Sequence, residues 1–122
     1  MSTDEHAAGG RILVFAGGLC GAAGVALSAA AAHLGGALVG KAASFLLLHA
    51  PVFLAVGLLG GNSILRTGSL ILLVGLLLFS GDLLARDFLG SRLFPMSAPI
   101  GGTLVIGGWL MMAASALVRP RP

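Results

Sequence analysis

Four apolar runs, each of about 17–23 residues, divide this chain, and their length constrains the fold more than any other feature. They cover Ile12 to Leu34, Ala42 to Leu59, Gly68 to Leu84 and Ile100 to Val118. An α-helix rises ~1.5 Å per residue, so about 20 residues cross a ~30 Å hydrocarbon core. Lipid offers the backbone no hydrogen bonds, so each run must satisfy its own amides as a helix. The expected fold is all-α: an integral membrane four-helix bundle forming one domain over residues 1–122. Residues 1–10 read as a polar tail outside the first span.

Composition removes the soluble alternative. Charged residues make up 9% of the chain and hydrophobic ones 57%, whereas soluble domains carry roughly 25% charged residues. The net charge of +3 does not indicate nucleic acid. Arg11, Lys41, Arg66, Arg86, Arg92, Arg119 and Arg121 lie between the apolar runs, as loop charges flanking spans do, and form no basic groove. The lipid bilayer is the expected partner, with a homo-oligomer or a larger membrane complex as a further expectation. Cys20 is the single cysteine, which excludes an intrachain disulfide and a cysteine-cluster metal site.

The connections are short where glycine dominates. Gly35-Gly36 and Gly40-Lys41 turn the chain between spans 1 and 2, and Gly60-Gly61-Asn62-Ser63 turns it between spans 2 and 3. The third connection, 85–98, interleaves Phe88, Leu89, Leu93, Phe94 and Met96 with Arg86, Asp87 and Arg92, which suits a segment in the headgroup region. Ser97 and Pro99 are expected to start span 4. Arg11 and the small run Ala29 to Ala32 loosely resemble a secretory leader, but the length of the run and Asp4 and Glu5 favour a retained first span. Four spans put both termini on one side. Arg11, Arg66, Arg119 and Arg121 there, against Lys41, Arg86 and Arg92 opposite, orient the termini toward the cytoplasm.

Small residues forecast the packing. Gly17, Gly21, Gly24 and Ser28 share one face of span 1, and Gly18, Ala22, Ala26 and Ala29 share another. Such faces let backbones approach within lipid, either inside one chain or between two copies. Gly68, Gly75 and Asp82 recur at heptad spacing in span 3 and still share a face, which points Asp82 toward protein. Gly101 and Gly102 open span 4. Trp109, ten residues beyond Pro99, falls ~15 Å along that helix and reads as core packing near the midplane.

Polar side chains inside the apolar runs are the candidates for function. His33, His49 and Asp82 fall near one end of the bundle by simple helix counting. Ionisable groups at membrane depth are costly and tend to be paired and functional. Three uses fit these residue types: a transition-metal site, a proton relay, or mutually satisfied groups that fix helix register. Arg86, four residues beyond Asp82, is the expected ion-pair partner. Pro51 shortly after His49 removes an amide donor from span 2. No serine stands in a nucleophile elbow, and the chain has no phosphate loop, HExxH or CxxC, so neither an enzyme nor a cofactor is expected.

At these residues the chain resembles the small bacterial membrane proteins of domain-of-unknown-function family 423, the YgdD-like proteins related to transmembrane protein 256. The matching pieces are Gly21 to His33 (GAAGVALSAAAAH), His49-Ala50, Leu78 to Leu83 (LFSGDL) and Ala98 to Trp109 (APIGGTLVIGGW). The resemblance implies a four-span, multi-pass inner-membrane protein whose biochemical role is unsettled. His33 and His49 carry over from the family pattern, whereas Asp82 stands where the family often has serine. A structural or accessory role is the primary expectation. The alternative is a carrier or channel-like module moving protons, metal ions or a small polar solute through His33, His49 and Asp82.

Overall fold

The computed structural model describes residues 3–118, with side chains from Ala8 onward. Its elements are α1 (Thr3–Leu34), α2 (Ala37–Leu59), α3 (Ser63–Leu89) and α4 (Ser97–Ser115), and all four are long and apolar enough to cross a membrane. The protein is an all-α, multi-pass transmembrane four-helix bundle. Met1, Ser2, Arg119 and Arg121 lie outside the described residues.

The helices outrun the hydropathy at several ends, each time for a local reason. The backbone of α1 is already helical at Thr3, so residues 3–10 continue the helix rather than forming a separate tail. Asn62 starts α3 early, its side-chain oxygen accepting the Leu65 amide at 2.9 Å. At the other end α3 runs on to Leu89 and stops at Gly90, whose left-handed φ of 76° closes the helix as its N–H donates a hydrogen bond to the Arg86 carbonyl at 3.1 Å. The third connection is therefore shorter than 85–98. Met96, at φ 69°, is the one described non-glycine residue in the left-handed region, and α4 begins directly after it. Pro99 is tolerated there because the first-turn amides of a helix lack intrahelical partners.

Packing runs α1 on α2, α2 on α3 and α3 on α4, with the tightest interfaces in the first and last pairs. Glycine sets both. A Cβ on Gly10 would stand 2.7 Å from the Gly57 carbonyl oxygen, and one on Gly57 would stand 2.8 Å from that of Gly10. Further along, Gly17 meets Ala50 and Leu54, and Gly24 meets Leu47, so this face of α1 is the one turned to α2. Gly21 lies in ordinary contact with Ala50, and Ser28 is exposed. Between α3 and α4, Gly75 and Gly101 face each other, and Gly68 packs against Gly108 and Met112. Gly102 only touches the Phe79 ring. Gly10, Gly57 and Gly108 are packing glycines that the sequence patterns did not single out.

The second small face of α1, Gly18, Ala22, Ala26 and Ala29, is exposed on the outside of the bundle. Leu13, Leu46, Phe53, Leu72, Leu76 and Val105 form the centre, where α2 and α3 meet. The Phe45 and Phe79 rings close this seam edge to face, 4.9 Å between centroids.

Candidate functional site

Asp82 stands on the same side of α3 as Gly68 and Gly75, so the close approach to α4 buries it completely. One carboxylate oxygen accepts the Ser97 hydroxyl at 2.6 Å and the Leu93 amide at 3.2 Å. The other meets Arg86 Nη2 at 3.1 Å, one helical turn away. Arg86 keeps 29% of its side chain exposed, which leaves its stem along the helix and its head toward the boundary. A single acid thus holds the first residue of α4, the preceding loop and a guanidinium.

Asp87, five residues on, does the same for α2. Its Oδ2 accepts the Val39 amide at 2.8 Å, across 48 positions of chain. The start of α2 follows Gly35-Gly36, which offer no capping side chain, so its orphan amides need an acceptor from elsewhere. Sequence reading treated Asp87 only as a loop charge. The signal that could have found it is the uncapped Gly-Gly start of α2.

His49 sits deeper and is held differently. Its ring is 2% exposed, on the face of α2 that carries Leu46, Ala50 and Phe53. Nδ1 lies 2.7 Å from the Phe45 carbonyl oxygen, and the Trp109 indole N–H donates to Nε2 at 3.2 Å. A carbonyl only accepts and an indole only donates, so this pair of neighbours assigns the proton to Nδ1 and the lone pair to Nε2. The imidazole is neutral and both nitrogens are engaged. The Phe45 ring stacks at 6.0 Å and 12°, and the indole lies 5.6 Å away.

Trp109 is therefore more than filler. It is 41% exposed, yet its N–H crosses from α4 to α2, whose Cα atoms do not approach within 8 Å. At the opposite end Asn62 Nδ2 donates to the Ser115 carbonyl at 3.0 Å and ties down the last turn of α4.

The structure does not assemble His33, His49 and Asp82. His33 is exposed near the end of α1, His49 is bonded to Trp109, and Asp82 is bonded to Ser97, Leu93 and Arg86. Among the described residues, no group of three or more His, Cys, Asp or Glu side chains is placed to hold a metal ion. Ser80 is buried with no hydrogen-bond partner among the described residues, so Ser80, His49 and Asp82 form no connected triad.

Comparison with known proteins gives one family. Residues 20–102 match the family described as a protein of unknown function, DUF423. A UPF0382 membrane protein of Haemophilus influenzae is 40% identical over 99 residues, covering 73% of this chain and 80% of that protein. UPF0382 membrane proteins of Staphylococcus saprophyticus and Staphylococcus haemolyticus are 32% identical over 74 residues and 29% identical over 115. The first alignment covers 59% of this chain and 62% of the relative, the second 86% and 94%. No solved structure matches the chain.

Proposed function

We propose that this chain, which belongs to the DUF423 family, is a non-enzymatic protein of the inner membrane that serves as a structural or accessory helical element. The observation that carries the reading is the internal use of its buried polar groups. Both nitrogens of His49 are engaged within the bundle, and Asp82 is held by a hydroxyl, an amide and a guanidinium. A second proton or a metal ion binds a neutral imidazole through the lone pair of its unprotonated nitrogen. Here a second proton or a metal on His49 Nε2 would first have to displace the indole N–H. The polar groups act as register pins, hydrogen-bonding between helices as polar side chains in membrane bundles do.

An accessory element needs a surface for its partner, and α1 supplies one. Gly18, Ala22, Ala26 and Ala29 form an exposed small-residue face against which a helix of a second copy or of a larger membrane complex would pack. The termini face the cytoplasm, following the excess of Arg11, Arg66, Arg119 and Arg121 on their side.

Purification from native membranes at physiological expression tests the reading, with a stoichiometric partner or a defined homo-oligomer expected. Recovery of the chain alone as a monomer counts against it. Proteoliposomes carrying a pH-sensitive dye test the carrier alternative. Wild type and His49→Ala are expected to leak protons equally, and a flux lost with the imidazole would replace the accessory role by transport.

A further inference from the structure

An open cavity of about 810 Å³ lies where the start of α1 meets the end of α2. Arg11 is the one charged side chain lining it, beside the exposed apolar Ile12, Phe15 and Leu58. Among the described residues Arg11 is exposed and has no ion-pair partner. Arg66, which packs on Gly9 of α1, is by contrast 8% exposed and already engaged. Arg11 directly precedes the apolar run Ile12 to Leu34, which puts it at the outer end of the span, and Phe15 lies ~6 Å further in. Helical side chains lean toward the N-terminus, so this guanidinium is carried outward while its stem stays along the helix.

The close approach of Gly10 to Gly57 brings the carbonyl end of α2 to the level of Arg11. That end is open. The Gly60 N–H takes the Val56 carbonyl, and Gly61 departs at φ 140°. Among the described residues no donor reaches the carbonyls of Gly57, Leu58 or Leu59. No basic side chain stands in the last turn of α2, so the negative end of its dipole lacks a counter-charge from its own helix.

We infer that this cavity binds a zwitterionic phospholipid with a primary ammonium, a phosphatidylethanolamine, its phosphate on Arg11, its ammonium at the carbonyl end of α2 and an acyl chain along Phe15 and Leu58. The two charges of the site select the head. A guanidinium donates to phosphate oxygens in a matched fork. Two carbons from that phosphate, an ammonium carries three N–H donors for carbonyls that have none. A choline head keeps the positive charge but has no N–H. A glycerol head keeps the phosphate but leaves the negative helix end without a cation. Free phosphate lacks both the ammonium and the chain that the apolar wall would cover.

The test uses the full chain, delipidated in detergent and read by native mass spectrometry against dioleoyl phosphatidylethanolamine, phosphatidylcholine and phosphatidylglycerol in turn. The ethanolamine lipid is expected to bind saturably at one per chain, about tenfold tighter than the choline lipid, as one charge-assisted hydrogen bond at a wet boundary would give. The mono- and dimethylated ethanolamine lipids are expected to fall between, in order of their remaining N–H groups. Arg11→Gln is expected to weaken all three lipids about tenfold with thermal unfolding unchanged, since the side chain is exposed, and Arg11→Lys to restore most of the loss. Equal affinity for the ethanolamine and choline lipids overturns the inference, as does tighter binding of the glycerol lipid. Unchanged binding in Arg11→Gln overturns it too, and so does displacement of the lipid by excess inorganic phosphate.

Discussion

Asp82 and His49 are equally hidden, 0% and 2% exposed, yet the bundle holds them in opposite ways. Asp82 stands near the end of α3, and its partners come from that end of the bundle: a loop amide, the first hydroxyl of α4 and an arginine whose head reaches outward. His49 lies further along α2 among apolar side chains, and its partners are one carbonyl of its own helix and one indole. The contrast follows from desolvation. A carboxylate inside low dielectric must be both paired and hydrogen bonded, and only the boundary supplies enough donors. A neutral imidazole needs one acceptor and one donor, which two neighbouring helices can provide at any depth.

The contrast is sharpened most by removing the charge partner. Arg86→Leu leaves Asp82 buried with two neutral donors, and the cost expected in detergent unfolding is about 2–3 kcal/mol, below the ~3–5 kcal/mol for breaking a fully buried pair. A loss no larger than that of a surface arginine would erase the distinction between the two sites. His49→Leu comes next, at about 1–2 kcal/mol, because the new side chain fills the volume but leaves the Trp109 N–H without its acceptor. A double-mutant cycle of His49→Leu with Trp109→Phe isolates the bond itself. Its coupling is expected near the ~0.6 kcal/mol typical of hydrogen bonds between membrane helices, with ~1.7 as an upper bound. Zero coupling would show that the indole packs on the ring without bonding it. The smallest effect of a single substitution belongs to Asp87→Ala, about 0.5–1 kcal/mol in unfolding, since an exposed side chain caps α2 and water can replace it. Hydrogen exchange at the start of α2 should report this change even where global stability barely moves.

Much of the fold was legible because the bilayer imposes a length that hydropathy reveals directly. The glycine faces were legible for a related reason. Gly17 and Gly24 of α1, and Gly68 and Gly75 of α3, recur at helical spacing, and those faces are the ones pressed against α2 and α4. The i, i+4 relation of Asp82 and Arg86 lies within one helix and is likewise readable along the chain. What helix counting could not supply is rotation. It put His33, His49 and Asp82 near one level, but level alone does not say which way each side chain turns. The structure turns His33 outward, His49 toward α4, and Asp82 toward the start of α4.

By itself, then, the amino-acid sequence determined four membrane-crossing helices, the faces along which their backbones close, and the family to which the chain belongs. Only the tertiary structure decided that Trp109 bonds His49 across 60 positions and that Asp87 caps a helix 48 positions away. The physical reason is the range of each force. Burial in lipid and small-residue spacing act along one helix and leave a periodic trace, whereas a hydrogen bond between helices depends on their relative rotation and depth. Those are set by all the side chains of an interface together.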